Sequence, residues 1–579
     1  MSMSITSLLG PVPRPPEKHH VRSLRLDGVH KKSFNQGRSR LMMTFFGFMM
    51  IYSIIASRLV YLAFFPETDH TARVQNDQPA AARPDLVDRN GEVIATDIRQ
   101  PSLFAEPRRI IDPDDAAEQL AKIFPDLDVN DMRTKLASNK GFTWLKREIT
   151  PQEQYQVHAL GLPGIGFTDE NRRVYPAGRM VSHVLGHVNI DNQGIAGLEK
   201  WVDKERSLSA LHDAGFITGQ QEPVALSLDL RVQHVLHDEL EDAMKRYQSI
   251  AASGVIMNAR TGEIVALTSL PDYNPNDARE ALLPDRINRI TTGTYEMGST
   301  FKAFTLAMAL DSGQYKLEDK VDASAPLHFG SFKISDYHGL GRKLNLTEIF
   351  VHSSNIATAK IAMAIGIQKH QDFLRKFGMM DRMHTELPEN AAPQVPKNWS
   401  MISTATIAFG HGMAVAPLQA VAGTAALMNG GYLVHPTFEK RSEEEARTLA
   451  KQVIKPETSD MMRGLFRANA ERGTAKKADV AGFDVGGKTG TAEKVVGGRY
   501  SKDKLMTDFM AAFPMDDPQY ILLVMLDEPK RVAETGGFAT AGVNAAPTAG
   551  RIISRVAPML SIAPRLARLA GAEPASMTR

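Results

Sequence analysis

The pattern of apolar and polar positions predicts a five-stranded sheet in the second part of the chain. Five mainly apolar runs of strand length lie at 253–259, 263–269, 484–494, 508–514 and 520–527. Three apolar stretches of helical length lie between the second and third of these runs, at 300–310, 346–365 and 417–429. Strands that bracket a block of helices predict an α+β domain in which a five-stranded antiparallel sheet is covered by helices.

A strand and a helix cap mark where this domain begins. Residues 224–228 have the composition of a short strand, and Asp229 follows as the predicted N-cap of an amphipathic helix. The sheet domain is therefore expected to start near residue 221.

The region before it opens with a predicted β-hairpin. DLVDRNGEVIATDI (85–98) alternates apolar and polar residues around Asn90-Gly91, a favoured two-residue hairpin turn. Residues 113–160 combine helical and irregular patterns. We assign 66–220 to one elongated, mixed α/β module.

The N-terminal segment predicts a membrane anchor. Residues 1–40 are basic and proline-rich, which indicates a disordered tail. Residues 41–57 carry no charge and would span about 26 Å as a helix, and an apolar run at 59–65 continues beyond Arg58. The basic excess before this segment places the N-terminus in the cytoplasm and the remainder of the chain outside. We predict one transmembrane helix at 41–65.

A cleaved signal peptide and a buried core helix are the alternatives to an anchor. Forty residues precede the apolar run, and no small-residue cleavage site follows it, which weighs against a signal peptide.

The composition of the chain excludes several kinds of partner and site. The 579 residues are 43% apolar and 23% charged, which is ordinary for a folded protein. The net charge of +2 is too balanced for a general polyanion binder, so nucleic acid is not an expected partner. The absence of cysteine excludes disulfides, thiolate metal sites and thiol nucleophiles.

A serine and a lysine on one apolar helix form the first candidate site. In YEMGSTFKAFTLAMALDSG (295–313), Ser299 begins the helix, and Lys302 is its only charge before Asp311. A spacing of three places both side chains on one face, and burial would lower the pKa of the amine and make it a usable base. The Ser-x-x-Lys spacing alone is weak evidence for a catalytic pair, since Ser501 to Lys504 repeats it in what we interpret as a polar turn.

The second candidate site is Ser353-Ser354-Asn355, which precedes another apolar helix. Serine and asparagine are favoured at helix N-termini, so a simple helix cap is the alternative interpretation.

The third candidate is a glycine-rich strand, FDVGGKTGTAEKV (483–495). Glycine in a strand permits close approach of a ligand, which would suit an extended substrate along the edge of a sheet. A bulged strand without a ligand is the alternative. The polar and glycine residues of interest are Lys488, Thr489, Gly490 and Thr491.

The order of the three sites resembles a known family. Ser-x-x-Lys, Ser-x-Asn and Lys-Thr-Gly together are typical of β-lactamases and penicillin-binding proteins. The surrounding sequence resembles the transpeptidase domain of class B penicillin-binding proteins over 221–562, which leaves 563–579 as a C-terminal tail. RPDLVDRNGEVIA (83–95), RRVYPAGRMVSHVLGHV (172–188) and GIAGLEKW (194–201) are similar to the N-terminal pedestal, or dimerisation-type domain, of that class.

Two further segments favour one branch of that class. TIAFGHGMAVAPLQ (406–419) and ILLVMLDEP (521–529), with the single anchor, look most like the division-specific, FtsI-like peptidoglycan D,D-transpeptidases. The elongation-specific transpeptidases are the nearest alternative. The resemblance implies the penicillin-binding, serine transpeptidase fold and a site at the inner membrane with the catalytic domain in the periplasm.

The resemblance also implies a role for each candidate residue. Ser299 would be the nucleophile and Lys302 its base, and Ser353 and Asn355 would relay protons and hold the peptide, with Asn355 contacting Lys302. Lys488 would attract the substrate carboxylate, and the backbone N–H groups of Ser299 and Thr491 would form an oxyanion hole. The remaining substrate-binding residues would be Thr489, Gly490 and Thr491, whose threonine hydroxyls would donate to the carboxylate.

The implied ligands are peptidoglycan stem peptides and β-lactams, with membrane lipid, a glycan-polymerising membrane protein and other division proteins as partners. No metal or other cofactor is implied, and the 17 histidines show no H-E-x-x-H arrangement. Two other classes of function remain as alternatives. A hydrolase such as a β-lactamase or carboxypeptidase would share the three motifs, and so would a non-catalytic scaffold or β-lactam sensor.

Overall fold

The computed structural model describes residues 42–57, 82–205 and 221–565. The helices in this part of the chain, α1 to α16, are 42–57, Pro113–Ile123, Val129–Leu136, Pro151–Leu160, Ser182–Leu185, Gly197–Glu205, Leu230–Arg246, Lys302–Asp311, Leu346–Val351, Asn355–Ile365, Ile367–Lys376, Met401–Ile407, Pro417–Met428, Glu443–Leu449, Pro456–Arg472 and Ala545–Met559. The strands, β1 to β16, are Leu86–Val87, Val93–Ala105, Thr143–Lys146, Ile165–Val174, Val224–Ala225, Ala251–Asn258, Ile264–Leu270, Lys320–Asp322, Leu327–Phe329, Phe332–Ile334, Lys343–Asn345, Tyr432–Leu433, Lys451–Gln452, Gly486–Val496, Arg499–Phe513 and Tyr520–Asp527.

The chain divides into two compact units, residues 1–78 and 79–579. Within the first unit the structure describes the helix at 42–57. Among the helices of the described residues, none combines the length and the hydropathy that a bilayer span requires. The tail at 1–40 and the predicted anchor beyond residue 57 lie outside the described residues, so both stay predictions.

The second unit contains the predicted five-stranded sheet. Its order is β14-β15-β16-β6-β7, and every neighbouring pair is antiparallel. Strand β14 therefore lies at one edge.

Our prediction that the fourth strand starts at residue 508 was wrong, because β15 begins at Arg499. The polar residues at the start of β15 pair with β14 through backbone hydrogen bonds, which do not require apolar side chains. Gly497-Gly498 supply the positive φ angles of the turn between the two strands.

Helices cover both faces of this sheet. Successive residues of β6 alternate between two hydrophobic clusters, with Val255 facing one and Ile256 facing the other. Helices α7 and α16 pack on the Ile256 face. Helices α8 and α13 contribute to the cluster on the Val255 face. The sheet is thus the middle of three layers, which agrees with the predicted sheet covered by helices.

Two predicted helices differ in detail from the observed ones. The stretch at 346–365 forms two helices, α9 and α10, because Ser353 between them has a φ of 57° and interrupts the helical hydrogen bonds. The stretch at 300–310 opens with a 3-10 turn at Gly298–Phe301 before α8 begins at Lys302. Both departures lie at predicted site residues.

A second, mixed sheet forms before the five-stranded one. The predicted hairpin is confirmed, since β1 and β2 are antiparallel with Leu86 opposite Ala95. Strand β2 also pairs with β3 and β4, and β1 pairs in parallel with β5. Asp229 accepts hydrogen bonds from the N–H groups of Arg231 and Val232, so its prediction as the N-cap of α7 is confirmed.

Buried charges connect the elements of this mixed region. Glu199 on α6 is fully buried and accepts hydrogen bonds from Arg83 at 2.7 Å and from Arg173 at 2.7 Å. Arg173 on β4 also bonds Asp97 of β2 at 3.2 Å. Two arginines with almost no solvent contact thus share the carboxylate of Glu199, with Asp97 and Asp203 as further partners. Removing one partner from such a network leaves uncompensated buried charge.

We expect Glu199→Gln to lower the free energy of unfolding by about 3 to 5 kcal/mol, because it removes the buried carboxylate that contacts both arginines. Denaturant unfolding of the full chain measures this loss. Asp131→Asn is the control, since Asp131 forms an exposed pair with Lys135 and its loss should cost less than about 1 kcal/mol. Equal losses in the two variants would contradict this account.

Candidate active site

Ser299 and Lys302 lie on one face of a tight turn. The turn at Gly298–Phe301 is a 3-10 helix, in which residues three apart are eclipsed along the axis. The N–H of Lys302 donates to the carbonyl of Ser299, which closes the turn. Ser299 is partly exposed, whereas Lys302 is fully buried. The serine side chain is thus accessible from outside, whereas the lysine side chain three residues further on is enclosed.

Close backbone contacts fix this turn against two neighbours. Gly298 has a φ of 51°, and a Cβ on it would lie 3.0 Å from the carbonyl oxygen of Thr491 and 3.2 Å from its nitrogen. On another side, a Cβ on Gly410 would lie 2.0 Å from the carbonyl oxygen of Gly298. The N–H of Gly298 donates to the carbonyl of Gly410 at 3.2 Å. The backbone next to Ser299 is therefore packed directly against strand β14.

Ser353 joins the two lysines. Its Oγ lies 3.0 Å from Nζ of Lys302 and 3.0 Å from Nζ of Lys488. Lys302 also donates to the carbonyl of Ser353. The left-handed backbone conformation of Ser353 is unusual for a residue other than glycine, and such conformations are frequent at functional sites. Motifs 135 residues apart in sequence thus share one hydroxyl.

Burial weakens the basicity of both amines, and repulsion by Lys488 adds to this effect at Lys302. Burial lowers the pKa of Lys302 well below its ordinary value, and the positive charge of Lys488 lowers it further. Asp336 opposes this shift. Burial lowers the pKa of Lys488 to about 7, and Asp508 acts in the opposite direction. Burial and the charge of Lys488 therefore both shift Lys302 toward its uncharged form.

Strand β14 presents the Lys-Thr-Gly segment at the edge of the sheet. Asn469 of α15 donates to the carbonyl of Gly487 at 2.7 Å, which holds the strand from behind. The hydroxyl of Thr489 donates to Thr474 at 2.6 Å, so its proton is already engaged and the predicted donation to a carboxylate requires a rearrangement. The hydroxyl of Thr491 accepts from the N–H of Ala541 at 3.2 Å.

The second motif combines a cap with part of the site. Ser354 accepts from the N–H of Ala357 and is the N-cap of α10, so the cap interpretation holds for this residue. Asn355 donates from its amide to the carbonyl of Ser335 at 3.1 Å. No hydrogen bond joins Asn355 to Lys302 in the described part of the chain, so the predicted contact between them is corrected.

The repeated Ser-x-x-Lys spacing at Ser501 does not form a comparable site. Our interpretation of this segment as a turn was wrong, since Ser501 lies in strand β15 opposite Lys494. Residues three apart in a strand point to opposite faces, so Ser501 and Lys504 do not share a face. Lys504 is largely exposed.

Sequence reasoning missed two carboxylates near the lysines. Asp336 accepts from the hydroxyl of Ser354 at 2.7 Å and from the N–H of Ile356 at 2.9 Å. It lies in an irregular segment without a motif. Asp508 lies fully buried in β15, and its sequence signal was a single charge beside the apolar run FMAAF. We had interpreted Asp508 only as the start of a strand.

A polar cluster beside the nucleophile turn was also missed. Glu296 accepts from the hydroxyl of Tyr500 at 3.0 Å and from the N–H of Gly412 at 2.8 Å. Burial raises the pKa of Glu296. These bonds connect the segment before Ser299 with strand β15, which further restrains the turn.

The arrangement supports acyl transfer through a serine. A partly exposed hydroxyl, a buried amine of lowered pKa and an edge strand of a five-stranded sheet occur together. These features define the class of serine acyltransferases that contains penicillin-binding proteins and serine β-lactamases.

Comparisons with known proteins identify the family. The sequence matches the penicillin binding protein transpeptidase domain over residues 252–553 and the penicillin-binding protein dimerisation domain over residues 78–215. The chain belongs to the penicillin-binding protein transpeptidase family, and the two matched domains together are those of a class B penicillin-binding protein.

Individual relatives agree with this assignment. The probable peptidoglycan D,D-transpeptidase FtsI of Caulobacter vibrioides is 38% identical over 83% of this chain and 82% of its own length. The peptidoglycan D,D-transpeptidase FtsI of Escherichia coli is 28% identical over 85% of this chain and 86% of its own. A crystal structure of penicillin binding protein 3 from Mycobacterium tuberculosis, complexed with aztreonam, has the same fold, with a TM-score of 0.64 at 22% identity over 84% of this chain and 98% of the other.

We expect Gly490→Ala to destabilise the protein by about 1 to 3 kcal/mol, because a Cβ there would overlap the carboxyl oxygen of Asp508 and the carbonyl of Met297. Thermal unfolding measures the effect. Gly464→Ala is the control, since Gly464 lies in helix α15 with open space around its Cα and alanine should stabilise that helix. A neutral result for Gly490→Ala would show that the strand is not tightly packed there.

Proposed function

We propose that the protein is a peptidoglycan D,D-transpeptidase that crosslinks stem peptides during septal cell-wall synthesis and is inhibited by β-lactams. The observation that carries this proposal is the convergence of two buried lysine amines on the hydroxyl of Ser353. One of these lysines, Lys302, follows Ser299 by one 3-10 turn. The names of its relatives support the substrate, and the FtsI relatives support the septal role.

The first half of the reaction forms an acyl-enzyme. Ser299 Oγ attacks the carbonyl carbon of the penultimate D-Ala in a D-Ala-D-Ala stem peptide, and its proton passes to the neutral amine of Lys302. The amide bond to the terminal D-Ala breaks, and the departing amine takes a proton through the hydroxyl of Ser353. The donor peptide remains as an ester on Ser299.

The second half transfers the donor peptide. An amine of a neighbouring stem attacks the ester carbonyl, the bond to Ser299 Oγ breaks, and the proton lost by the amine returns to the serine through Lys302. Asn355 holds the peptide in this scheme through its side-chain amide. A new amide bond between the two stems is the crosslink.

Two groups stabilise charge on the substrate. Lys488 supplies positive potential for the terminal carboxylate, with Thr489, Gly490 and Thr491 alongside it. The backbone N–H groups of Ser299 and Thr491 form the oxyanion hole, an arrangement worth about 3 to 4 kcal/mol per donor. The contact between Gly298 and the backbone of Thr491 supports this pairing, because it brings the two segments within van der Waals distance.

The proposal also assigns the remaining regions of the chain to the membrane and the periplasm. A cytoplasmic tail at 1–40 and an anchor at 41–65 hold the protein in the inner membrane. A pedestal at 66–220 carries a transpeptidase domain at 221–562, and the tail at 563–579 follows. Glycan polymerisation belongs to a membrane partner, together with other division proteins.

Ser299→Ala should abolish covalent labelling by a fluorescent penicillin, because the acyl bond forms at this oxygen. Gel fluorescence of the full-length protein in membranes measures labelling. Ser501→Ala is the matched control and should label as the parent does, since it changes the serine of the repeated spacing. Persistent labelling of Ser299→Ala, or its loss in Ser501→Ala, would refute the assignment.

The septal role predicts where the protein accumulates. A fluorescent fusion of the full chain should concentrate at the division site in growing cells, as imaged by microscopy. An even distribution along the side wall would favour the elongation-specific function instead.

A further inference from the structure

A cavity of about 460 Å³ is lined by α9, its flanking residues and the C-terminal end of α15, and the proposed mechanism does not use it. Its lining residues are Asn345, Thr347, Glu348, Val351, His352 and Arg472. All of these except the valine have side chains that form hydrogen bonds. A lining of this composition favours a polar ligand.

Helix α9 connects the cavity with the lysines of the active site. The ring of Phe350 on this helix lies 5.7 Å from Nζ of Lys488. His352, which lines the cavity, directly precedes Ser353, the residue whose hydroxyl both lysines contact. Neighbouring Cα atoms are only about 3.8 Å apart, so this wall of the cavity is continuous with the active site.

The end of α15 makes a second connection. A Cβ on Gly473 would lie 2.9 Å from the carbonyl oxygen of Val351, so the backbone that follows Arg472 packs against the end of α9. The next residue, Thr474, accepts a hydrogen bond from the hydroxyl of Thr489 at 2.6 Å. The cavity therefore lies beside the end of the active site that the Lys-Thr-Gly segment forms.

The charges around the cavity leave one guanidinium without a partner. The hydrogen bond from Arg342 to Glu348, at 2.8 Å, lowers the pKa of Glu348 to about 2, so this carboxylate is ionised and already paired. Arg472 is exposed and forms no ion pair with the described residues, and its neighbour Glu471 pairs with Arg467 instead. A free guanidinium favours a carboxylate, which it can bind through two parallel hydrogen bonds.

The chemistry of transfer indicates which substrate reaches this side. Attack of an amine on the ester of Ser299 is chemically the reverse of the step that expels the terminal D-Ala, so the incoming amine takes the place of the departing one. The proposed function places the carboxylate of that D-Ala at Lys488 and Thr489. The acceptor peptide therefore approaches from the Lys-Thr-Gly end, and three extended residues span about 10 Å, enough to reach beyond it.

We propose that this cavity is the binding site of the acceptor stem peptide, in which Arg472 binds a carboxylate of the acceptor while the amine of the acceptor reaches the ester on Ser299. This inference rests on the proposed transpeptidase function and assigns a place to its second substrate. It predicts that the enzyme prefers an anionic acceptor to a neutral one of the same length.

The test measures how the acyl-enzyme divides between transfer and hydrolysis. The full-length protein is acylated with a benzoyl-D-Ala thioester in the presence of tetrapeptide stems released from the cell wall of the host. The same stems with their carboxylates converted to amides are the matched neutral acceptors. Mass spectrometry measures both products, and their ratio does not depend on how fast Ser299 is acylated, because both arise from one acyl-enzyme.

Arg472→Gln should raise the concentration of native stem that gives half-maximal transfer by about tenfold, because it removes a charge-assisted hydrogen bond. The same variant should use the amidated stem as the parent does. Arg472→Lys keeps the positive charge and should recover part of the loss. Arg463→Gln is the control, since Arg463 lies on the same helix and pairs with Asp460, and it should transfer to the native stem as the parent does.

Unchanged use of the native stem by Arg472→Gln would overturn the inference. Equal losses with the native and the amidated stem would also overturn it, since Arg472 would then not recognise a carboxylate. A slower acylation of Arg472→Gln with an unchanged ratio of products would place the donor, and not the acceptor, at the cavity. A parent protein that forms an acyl-enzyme but never transfers it to the native stem would refute the proposed transpeptidase function, which is a different result.

Discussion

One hydroxyl shared by two buried amines is the interaction on which the rest of the site depends. Ser353 Oγ accepts from Lys302 and from Lys488 at the same distance, and both amines lie without solvent contact. Two ammonium groups in such a place would repel each other and lose their hydration, so the arrangement favours at least one neutral amine. The proposed function requires a neutral amine of this kind as the base for a serine nucleophile.

Keeping these groups together requires backbones that approach more closely than side chains allow. Gly298 and Gly490 each occupy a place where a Cβ would meet main chain or a buried carboxyl. The antiparallel sheet supplies the rigid edge strand, and the helices on its faces fix where the turn at Ser299 and the break at Ser353 lie. The stability of the core and the geometry of the site are thus consequences of the same packing.

Local patterns predicted much of this protein. The five strands, the hairpin at Asn90-Gly91 and the cap at Asp229 follow from rules that act over a few residues, and the structure contains them. The predicted ends of helices and strands were less accurate than the predicted element types where contacts with distant segments decide the backbone conformation. The break at Ser353 lies within a stretch whose composition is helical, and its left-handed backbone accompanies hydrogen bonds to two lysines that are distant in the chain.

The sequence by itself determined the element types, the three motifs and the expectation of a buried lysine base, because apolar periodicity and residue spacing are local properties. Only the tertiary structure decided which groups meet. The hydrogen bond of Thr489 to Thr474, that of Asn355 to Ser335 and the packing of Asp508 against Gly490 each join segments that lie apart in the chain. Such contacts depend on strand register and on how helices pack across the sheet, and no short stretch of sequence encodes either.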